Sequence, residues 1–259
     1  MWKSLVTLFQ FLNCRIKRYK LDKLIPDKHY LVRCPGGKIY LNLRENKSER
    51  EKFIGYYEYQ KTNLFKKMVK PGMTILDIGT NKGYFSLLSA KKMDDDGQIL
   101  SFEPHPENCY WINRSISANG YKSIKLFQVA LSNKNGEMRL FEGKKSGHHS
   151  LVRNQELGSI TIPTRKLDDI LAEQKISKVD LIKIDVEGAE IQVLEGANIL
   201  LAQQSPKLLI DIHDIDRKKL FRILEKFGFK IFDYSTNKFV KLDEKEFISK
   251  RVNEIFAKK

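Results

Sequence analysis

The distribution of apolar residues predicts that strands and helices alternate from about residue 72 onward. Short apolar runs, which are typical of buried strands, are followed by segments whose apolar residues recur with the period of an α-helix. The predicted strands are MTILDI, GQILSFEP, IKLFQVAL, KVDLIKID and PKLLIDIH, and helices are predicted after Gly83 and over about 106–119, 189–203 and 216–227. Strands this continuously apolar are buried on both faces, so we expect an α/β fold with a mostly parallel sheet between two helix layers.

Two segments interrupt this alternation and are predicted to form β-hairpins. EMRLFEG and SITIPT have strand-like patterns and flank the polar segment KKSGHHSL. Further upstream, YLVRCPGGKIYLNL has a glycine pair in the position of a hairpin turn. Excursions of this kind commonly form lids or substrate walls. Because no repeat or Gly/Ser linker is present, we predict one large domain over 55–259 and a basic helix-and-hairpin extension over 1–54.

The net charge of +15 is concentrated near the amino terminus, where residues 1–70 hold 17 Lys and Arg but only 6 Asp and Glu. Such a region suits a nucleic acid, an anionic lipid surface or simply solvent. Within MWKSLVTLFQFLNCRIKRYK the apolar residues share one helical face, but the segment is too short to span a bilayer. We therefore predict either an interfacial helix over residues 1–20 or a helix that caps the domain. Three widely spaced cysteines indicate neither a disulfide framework nor a zinc site and fit a reducing cytoplasm.

The segment TILDIGTNKGYFSLLSA is a candidate ligand-binding turn between a strand and a helix. An ATP-binding loop would need GxxxxGK[ST], which is absent, and Asn81 stands where a dinucleotide-binding loop has its second glycine. S-adenosylmethionine has no phosphate and has a cationic end that Asp77 suits. Glu103, which ends the next predicted strand, is placed to accept hydrogen bonds from both ribose hydroxyls.

Five segments carry a resemblance to a known family. KPGMTILDIGTNKGYFSLLSA, FEPHPENCYWINRSISANG, VALSNKNGEMRLF, RKLDDIL and above all VDLIKIDVEGAEIQVLEGA resemble the FkbM family of S-adenosylmethionine-dependent methyltransferases, in order over about 55–235. The resemblance implies a Rossmann-like class I fold, with a seven-stranded sheet whose final strand is antiparallel. It also implies methylation of a hydroxyl on a sugar, polyketide or lipid-like molecule. KKSGHHSL and the first 50 residues match no motif of the family, so the acceptor stays open.

The predicted cofactor-binding residues lie in the turn and at the ends of the following strands. They are Asp77, Gly79, Thr80, Asn81, Gly83, Tyr84, Phe85, Ser86, Glu103, Pro104, Ala130, Leu131 and Asp185. Methyl transfer to oxygen also requires alignment of the acceptor and removal of a hydroxyl proton. Asp185, Glu187 and His213 are the predicted catalytic residues, with His213 as the base because its reference pKa is near neutrality. Asp185 and Glu187 are two residues apart, as are Asp211 and His213, so each pair shares a side if the chain stays extended.

Four alternatives remain at the level of sequence. The same acids and imidazole suit Mg²⁺ or Mn²⁺, although their spacing is not diagnostic and assigns no metal ligand. His148 and His149 can close over the site or simply be exposed. An RNA methyltransferase is suggested by the charge, but the [DN]PP[YFW] motif that grips a base amine is absent, which makes a nucleic-acid acceptor the weaker prediction. A noncatalytic S-adenosylmethionine-binding module would tolerate loss of Asp77, Glu103 and Asp185, all of which are present.

Overall fold

The computed structural model describes residues 25–141, 158–236, 238–250 and 252–259. The strands are β1 Tyr30–Cys34, β2 Gly37–Leu41, β3 Thr74–Ile78, β4 Gln98–Phe102, β5 Ile124–Phe127, β6 Ala130–Leu131, β7 Gly136–Phe141, β8 Ser159–Arg165, β9 Leu181–Ile184, β10 Lys207–Asp211, β11 Lys230–Asp233, β12 Val240–Leu242 and β13 Glu254–Lys258. The helices are α1 Lys47–Ile54, α2 Tyr59–Met68, α3 Tyr84–Met93, α4 Pro106–Asn119, α5 Leu167–Glu173, α6 Glu190–Glu195, α7 Asn198–Gln203, α8 Arg217–Lys226 and α9 Glu244–Ser249.

The central sheet has the strand order β12-β11-β13-β10-β9-β3-β4-β5. Strands β3, β4, β5, β9 and β10 run parallel, and the final strand β13 lies antiparallel between β10 and β11. The predicted Rossmann-like sheet with an antiparallel final strand is therefore confirmed. The expected count of seven strands is wrong by one, because β12 pairs antiparallel with β11 and adds an eighth strand at the edge.

Alternate residues of the central strands enter two separate hydrophobic cores. Leu76, Ile182 and Leu208 belong to the core that contains the apolar faces of α5 to α9. Ile75 and Leu209 belong to the other core, which contains side chains of α2, α3 and the β1–β2 hairpin. Both faces of the sheet are covered, as the apolar strands predicted, and the carboxyl ends of the strands are left as the edge at which a ligand can bind.

Two of the predicted helices agree closely with the structure, and a third is interrupted. Helix α4 occupies the predicted 106–119, and the Asp216 side chain caps α8 by accepting a hydrogen bond from the Lys219 amide. The single helix predicted over 189–203 is instead α6 and α7. The break falls at Gly196, where a Cβ would overlap the carbonyl oxygen of Ser132. The carboxylate of Asp168 then accepts hydrogen bonds from the first amides of α7, which starts a new helix.

The predicted hairpins are both present. Strands β1 and β2 pair around a turn at Pro35 and Gly36, and β7 pairs with β8 in a small sheet that also contains β6. The β1–β2 hairpin packs on the main domain, since the Tyr40 amide donates to Ser115 Oγ in α4. The predicted interfacial helix over 1–20 and the KKSGHHSL segment with His148 and His149 lie outside the described residues. Within the described ranges, no helix combines the length and apolar character needed to cross a bilayer.

Candidate active site

The turn between β3 and α3 brings the backbone close to the end of β9. Gly79 has a φ of +72°, and a Cβ there would overlap the carbonyl oxygen of Asp185. The amides of Gly79 and Thr80 donate to the Phe102 carbonyl at 3.0 and 3.1 Å, which ties the turn to β4. Asn81 is also in the left-handed region, with φ 53°. The local sequence therefore produces a tight turn that lies against the ends of β4 and β9.

Asp77 lies behind this turn rather than in the cavity wall. Its Oδ2 atom accepts hydrogen bonds from the hydroxyls of Thr80 and Ser86, at 2.6 and 2.5 Å. Its Oδ1 atom lies 3.7 Å from Lys183 Nζ. Tyr84 and Phe85 are likewise buried, in edge-on aromatic contact with each other. These residues support the turn, and Asp77 is not among the residues that line the cavity.

Glu103 follows β4 and faces the turn. Its Oε2 atom accepts from the Asn81 amide at 2.8 Å, and Oε1 accepts from the His105 amide and the Asn108 side chain. Burial raises the pKa of Glu103 to about 7, although these donors and Lys82 act in the opposite direction. The carboxylate is thus held at the cavity wall by three donors, and about one of its acceptor sites, on Oε2, is left for a further donor.

A cavity of about 460 Å³ opens at the carboxyl ends of the strands. Its lining combines most of the predicted strand-end residues and Asp211 with residues from the segment that carries α1 and ends just before α2. The strand-end residues are Gly79, Asn81, Glu103, Pro104, Ala130, Leu131, Asp185, Glu187, Asp211 and His213; the upstream segment contributes Asn46, Lys47, Ser48, Glu51, Tyr57 and Glu58. Thr80, Gly83, Tyr84, Phe85 and Ser86 are not among the lining residues.

The predicted catalytic residues Asp185 and Glu187 both lie close to the imidazole of the third, His213. Its Nδ1 atom lies 2.7 Å from Glu190 Oε1, and its Nε2 atom lies 3.7 Å from Asp185 Oδ1 and 3.6 Å from Glu187 Oε2. Burial lowers the pKa of His213, but the hydrogen bond to Glu190 and the charges of all three carboxylates raise it to about 9. The chain does not stay extended here, because Glu187 has φ 53°. Asp185 and Glu187 nevertheless converge on the same imidazole nitrogen.

Two buried lysines neutralise this acidic edge of the sheet, and neither was predicted as a site residue. Lys183, 3% exposed, donates to the Gly79 carbonyl at 2.9 Å and lies 3.4 Å from Asp185 Oδ2. Lys61 in α2 lies 2.6 Å from Asp211 Oδ1. Burial raises the pKa of Asp185, but Lys183, Lys61 and His213 together bring it below its usual value. A lysine inside the apolar run VDLIKID was the one sequence signal for Lys183.

Comparison with known proteins assigns more than half of the chain to a protein family. A model of the Methyltransferase FkbM domain matches residues 77–231. The chain is 31% identical over 157 residues to methyltransferase sdnD of Sordaria araneosa, covering 48% of this chain and 60% of that protein. It is 28% identical to the 2-O-methyltransferase NoeI of Sinorhizobium fredii, covering 52% and 61% of the two chains. It is 26% identical to the hexuronic acid methyltransferase AglP of Haloferax volcanii, covering 57% and 59%. The chain thus spans about 60% of the length of these relatives.

Proposed function

The chain belongs to the FkbM methyltransferase family, and on that premise we propose that it methylates a small-molecule hydroxyl with S-adenosylmethionine as the methyl donor. The observation that carries the proposal is the Glu103 carboxylate, which stands in the cavity wall bonded to the Asn81 amide of the glycine turn. A rigid acid one strand away from a close backbone turn fits a ribose diol. The glycine turn lacks the lysine that an ATP-binding loop uses to bind phosphates.

The residues of the cavity have separable roles in this proposal. Glu103 accepts hydrogen bonds from the ribose hydroxyls, and the backbone of Gly79 and Asn81 follows the outline of the ligand. Pro104, Ala130 and Leu131 provide an apolar surface for the adenine. Asp185, kept ionised by Lys183, receives the cationic amino group or the acceptor. The residues behind the turn, which are Asp77, Thr80, Gly83, Tyr84, Phe85 and Ser86, hold its shape.

S-adenosylmethionine supplies an activated methyl group on its sulfonium when it is bound. What the protein must add is alignment of the acceptor oxygen and a destination for its proton. Asp185, Glu187 and His213 lie together at the cavity wall, which supports a role for them in these two steps. With a pKa of about 9, the imidazole of His213 is protonated at neutral pH and becomes a base only as the pH rises.

A divalent cation at the same residues is a variant of this proposal. One ligand atom from each of Asp185, Glu187 and His213 can lie within 4.8 Å of the others. Glu190 fixes the other imidazole nitrogen, which is the way many metal-binding histidines are oriented. Two carboxylates and an imidazole would suit Mg²⁺ or Mn²⁺, and the ion would replace the imidazolium charge between the acids.

The acceptor is proposed from the relatives and from the cavity. AglP is named for a hexuronic acid and NoeI for a 2-O position, so a hydroxyl of a glycan is in keeping with both names, and polyketide or lipid-like acceptors are the alternatives. An RNA acceptor is not favoured, because residues 185–188 read DVEG where a base-gripping motif would lie. A noncatalytic binding module is disfavoured by the presence of Glu103 and Asp185 at the cavity.

Attachment to a membrane surface is a separate proposal that concerns residues 1–20. Their amphipathic pattern and basic flank would bind anionic lipid and place a cytoplasmic enzyme at the membrane. Cosedimentation of the full chain with phosphatidylserine vesicles at low salt, compared with a chain lacking residues 1–20, tests this directly. Equal sedimentation of the two proteins would reject it.

Two measurements test the proposed function. Isothermal titration calorimetry is expected to show binding of S-adenosylmethionine and S-adenosylhomocysteine but not of NAD or ATP. Methyl-tritiated S-adenosylmethionine, incubated with the protein and a small-molecule cell extract, is expected to label an extractable acceptor. Cofactor binding without any labelling would favour the noncatalytic module, and labelling that ribonuclease removes would favour RNA.

A further inference from the structure

Asp211 is the strand-end carboxylate that the roles above leave unused. It ends β10, is 8% exposed and lines the cavity. Its Oδ1 atom accepts a hydrogen bond from Lys61 Nζ at 2.6 Å. Its Oδ2 atom is buried and has no hydrogen-bond donor among the residues that the structure describes. An unsatisfied buried acceptor is costly, and because Asp211 also lines the cavity, a bound molecule is in a position to supply the missing donor.

Lys61 fixes the direction of that carboxylate. Its side chain is 1% exposed, and its ammonium also lies 2.8 Å from Glu58 Oε2 and 3.3 Å from Glu254 Oε1. Glu58 reaches this position from a left-handed backbone conformation, φ 41°, which is uncommon for a residue other than glycine. Three carboxylates from distant parts of the chain therefore meet one buried cation, and Asp211 cannot rotate without losing its shortest ion pair.

The sheet order separates Asp211 from the glycine turn and from Glu103, the proposed ribose-binding residue. Strand β10 is two strands from β3, which leads into the glycine turn, and three strands from β4, which ends before Glu103. At the usual strand spacing these separations are about 10 and 14 Å. Glu103 and Asp185 already face the ribose and the amino group in the proposed arrangement. Glu58, which shares Lys61 with Asp211, also lines the cavity and precedes the family-matched residues.

We propose that Asp211 Oδ2 accepts a hydrogen bond from a hydroxyl group of the methyl acceptor, and that Lys61 is the positioning residue for this contact. This inference rests on the proposed function, because it concerns the second substrate of the same cavity. It makes Asp211 a determinant of acceptor binding that is separate from cofactor binding. The segment 57–61, which lies before the family-matched region, then contributes to the choice of acceptor.

The test is Asp211→Asn. The amide can keep an oxygen toward Lys61, but it turns an NH₂ group toward the cavity and so replaces an acceptor by a donor. The extract concentration that gives half-maximal tritium transfer is expected to rise about 10- to 100-fold, the scale of one hydrogen bond to a charged group. The dissociation constant for S-adenosylhomocysteine is expected to change less than about threefold, within the scatter of unrelated substitutions. Asp180→Asn is the matched control, because Asp180 also pairs with a lysine, Lys178, but precedes β9 at the opposite edge of the sheet.

The positioning role of Lys61 is tested with Lys61→Met and Lys61→Arg. Lys61→Met is expected to reproduce the rise in half-maximal extract concentration, and Lys61→Arg to restore part of the wild-type value because it keeps the cation. Lys52→Met is the matched control, since Lys52 is equally buried and is paired three residues away with Glu49. If Lys61→Met does not fold, as judged by circular dichroism, Asp211→Asn still decides the main claim.

The outcomes separate this inference from the function on which it rests. Absence of labelling by the wild-type protein rejects the proposed function, and this inference with it. Labelling by the wild type with an unchanged extract dependence in Asp211→Asn rejects only the role of Asp211 in acceptor binding. A parallel loss of S-adenosylhomocysteine affinity would assign Asp211 to the cofactor and would also overturn the proposal.

Discussion

The Nδ1 atom of His213 lies 2.7 Å from Oε1 of Glu190, a carboxylate with no exposed surface. This contact orients the imidazole so that Nε2 faces Asp185 and Glu187. It also stabilises the imidazolium, and together with the neighbouring acids it raises the pKa of His213 to about 9. The sequence-based argument for His213 as a base relied on an ordinary pKa near neutrality. The structure replaces that argument with one in which the base is released only at alkaline pH.

If His213 is the base, the rate of methyl transfer should rise with pH toward about 9, because the neutral imidazole is the reactive form. His213→Ala should lower turnover by about 10²- to 10⁴-fold with little effect on S-adenosylhomocysteine affinity. Glu190→Gln should move the rise to lower pH. Tritium-transfer rates measured from about pH 6 to about pH 10 provide the test, because this range includes the usual pKa of histidine and the raised pKa of His213. His29→Ala, which removes a histidine stacked on Trp111, is the control. Full activity of His213→Ala would assign the proton to water.

If a divalent cation occupies the cluster, EDTA should abolish transfer and Mg²⁺ or Mn²⁺ should restore it. A second readout does not depend on activity: Mn²⁺ should bind with one site per chain, followed by electron paramagnetic resonance. Glu187→Gln should weaken that binding. Activity that survives EDTA, together with no Mn²⁺ binding, would exclude the metal variant and leave the imidazolium as the cation between the acids.

The raised pKa of His213 predicts a loss of stability at alkaline pH. Since the folded-state pKa of about 9 is above the usual value of 6.5, the contribution is fully present below about 6.5 and is lost as the pH rises through about 9. We expect about 1–2 kcal/mol of the unfolding free energy to disappear across this interval, after allowing for solvent screening. Urea unfolding at several pH values measures it. The same slope in His213→Gln would contradict this assignment.

Glu103 should make cofactor affinity depend on pH, with weaker binding at acidic pH, whereas the contribution of His213 to stability is lost at alkaline pH. Its pKa of about 7 means that the carboxylate protonates as the pH falls below neutrality and then loses capacity as an acceptor. S-adenosylhomocysteine should therefore bind more weakly below pH 7, and Glu103→Gln should weaken binding by about 1–3 kcal/mol and flatten the pH dependence. Calorimetry at pH values on both sides of 7 provides the test. Glu173→Gln, at an exposed residue paired with Arg165, should change neither property.

Gly79→Ala should destabilise the protein more than Gly120→Ala. Both glycines have similar positive φ values, +72° and +70°, so the backbone cost of an alanine, about 1–2 kcal/mol, is shared. At Gly79 the new Cβ would also overlap the Asp185 carbonyl, whereas nothing lies within 4 Å of a Cβ at Gly120. The difference in unfolding free energy should be about 1–3 kcal/mol, the scale of overpacking in a core. Equal effects would show that the turn can open away from β9.

The sequence by itself determined the features that depend on neighbouring residues. The apolar runs specified the parallel strands, Pro106 and Gly120 bounded α4, and the glycines of TILDIGTNKGYFS specified the turn. The position of Glu103 directly after β4 followed from the same kind of local pattern. These features are predictable because hydrogen bonding and side-chain periodicity act over a few residues.

Only the tertiary structure decided the contacts that join distant parts of the chain. Lys61 meets Asp211 across 150 positions of sequence, and Lys183 meets the Gly79 carbonyl across 104. The helical period places Lys61 on the buried face of Phe65 and Met68, but nothing in the local pattern names the carboxylates that it meets. The break at Gly196 likewise depends on Ser132, which is remote in sequence. Burial and charge at these positions arise when the sheet brings strand ends together, and this is why the pKa of His213 and the free oxygen of Asp211 were not predictable from residue spacing.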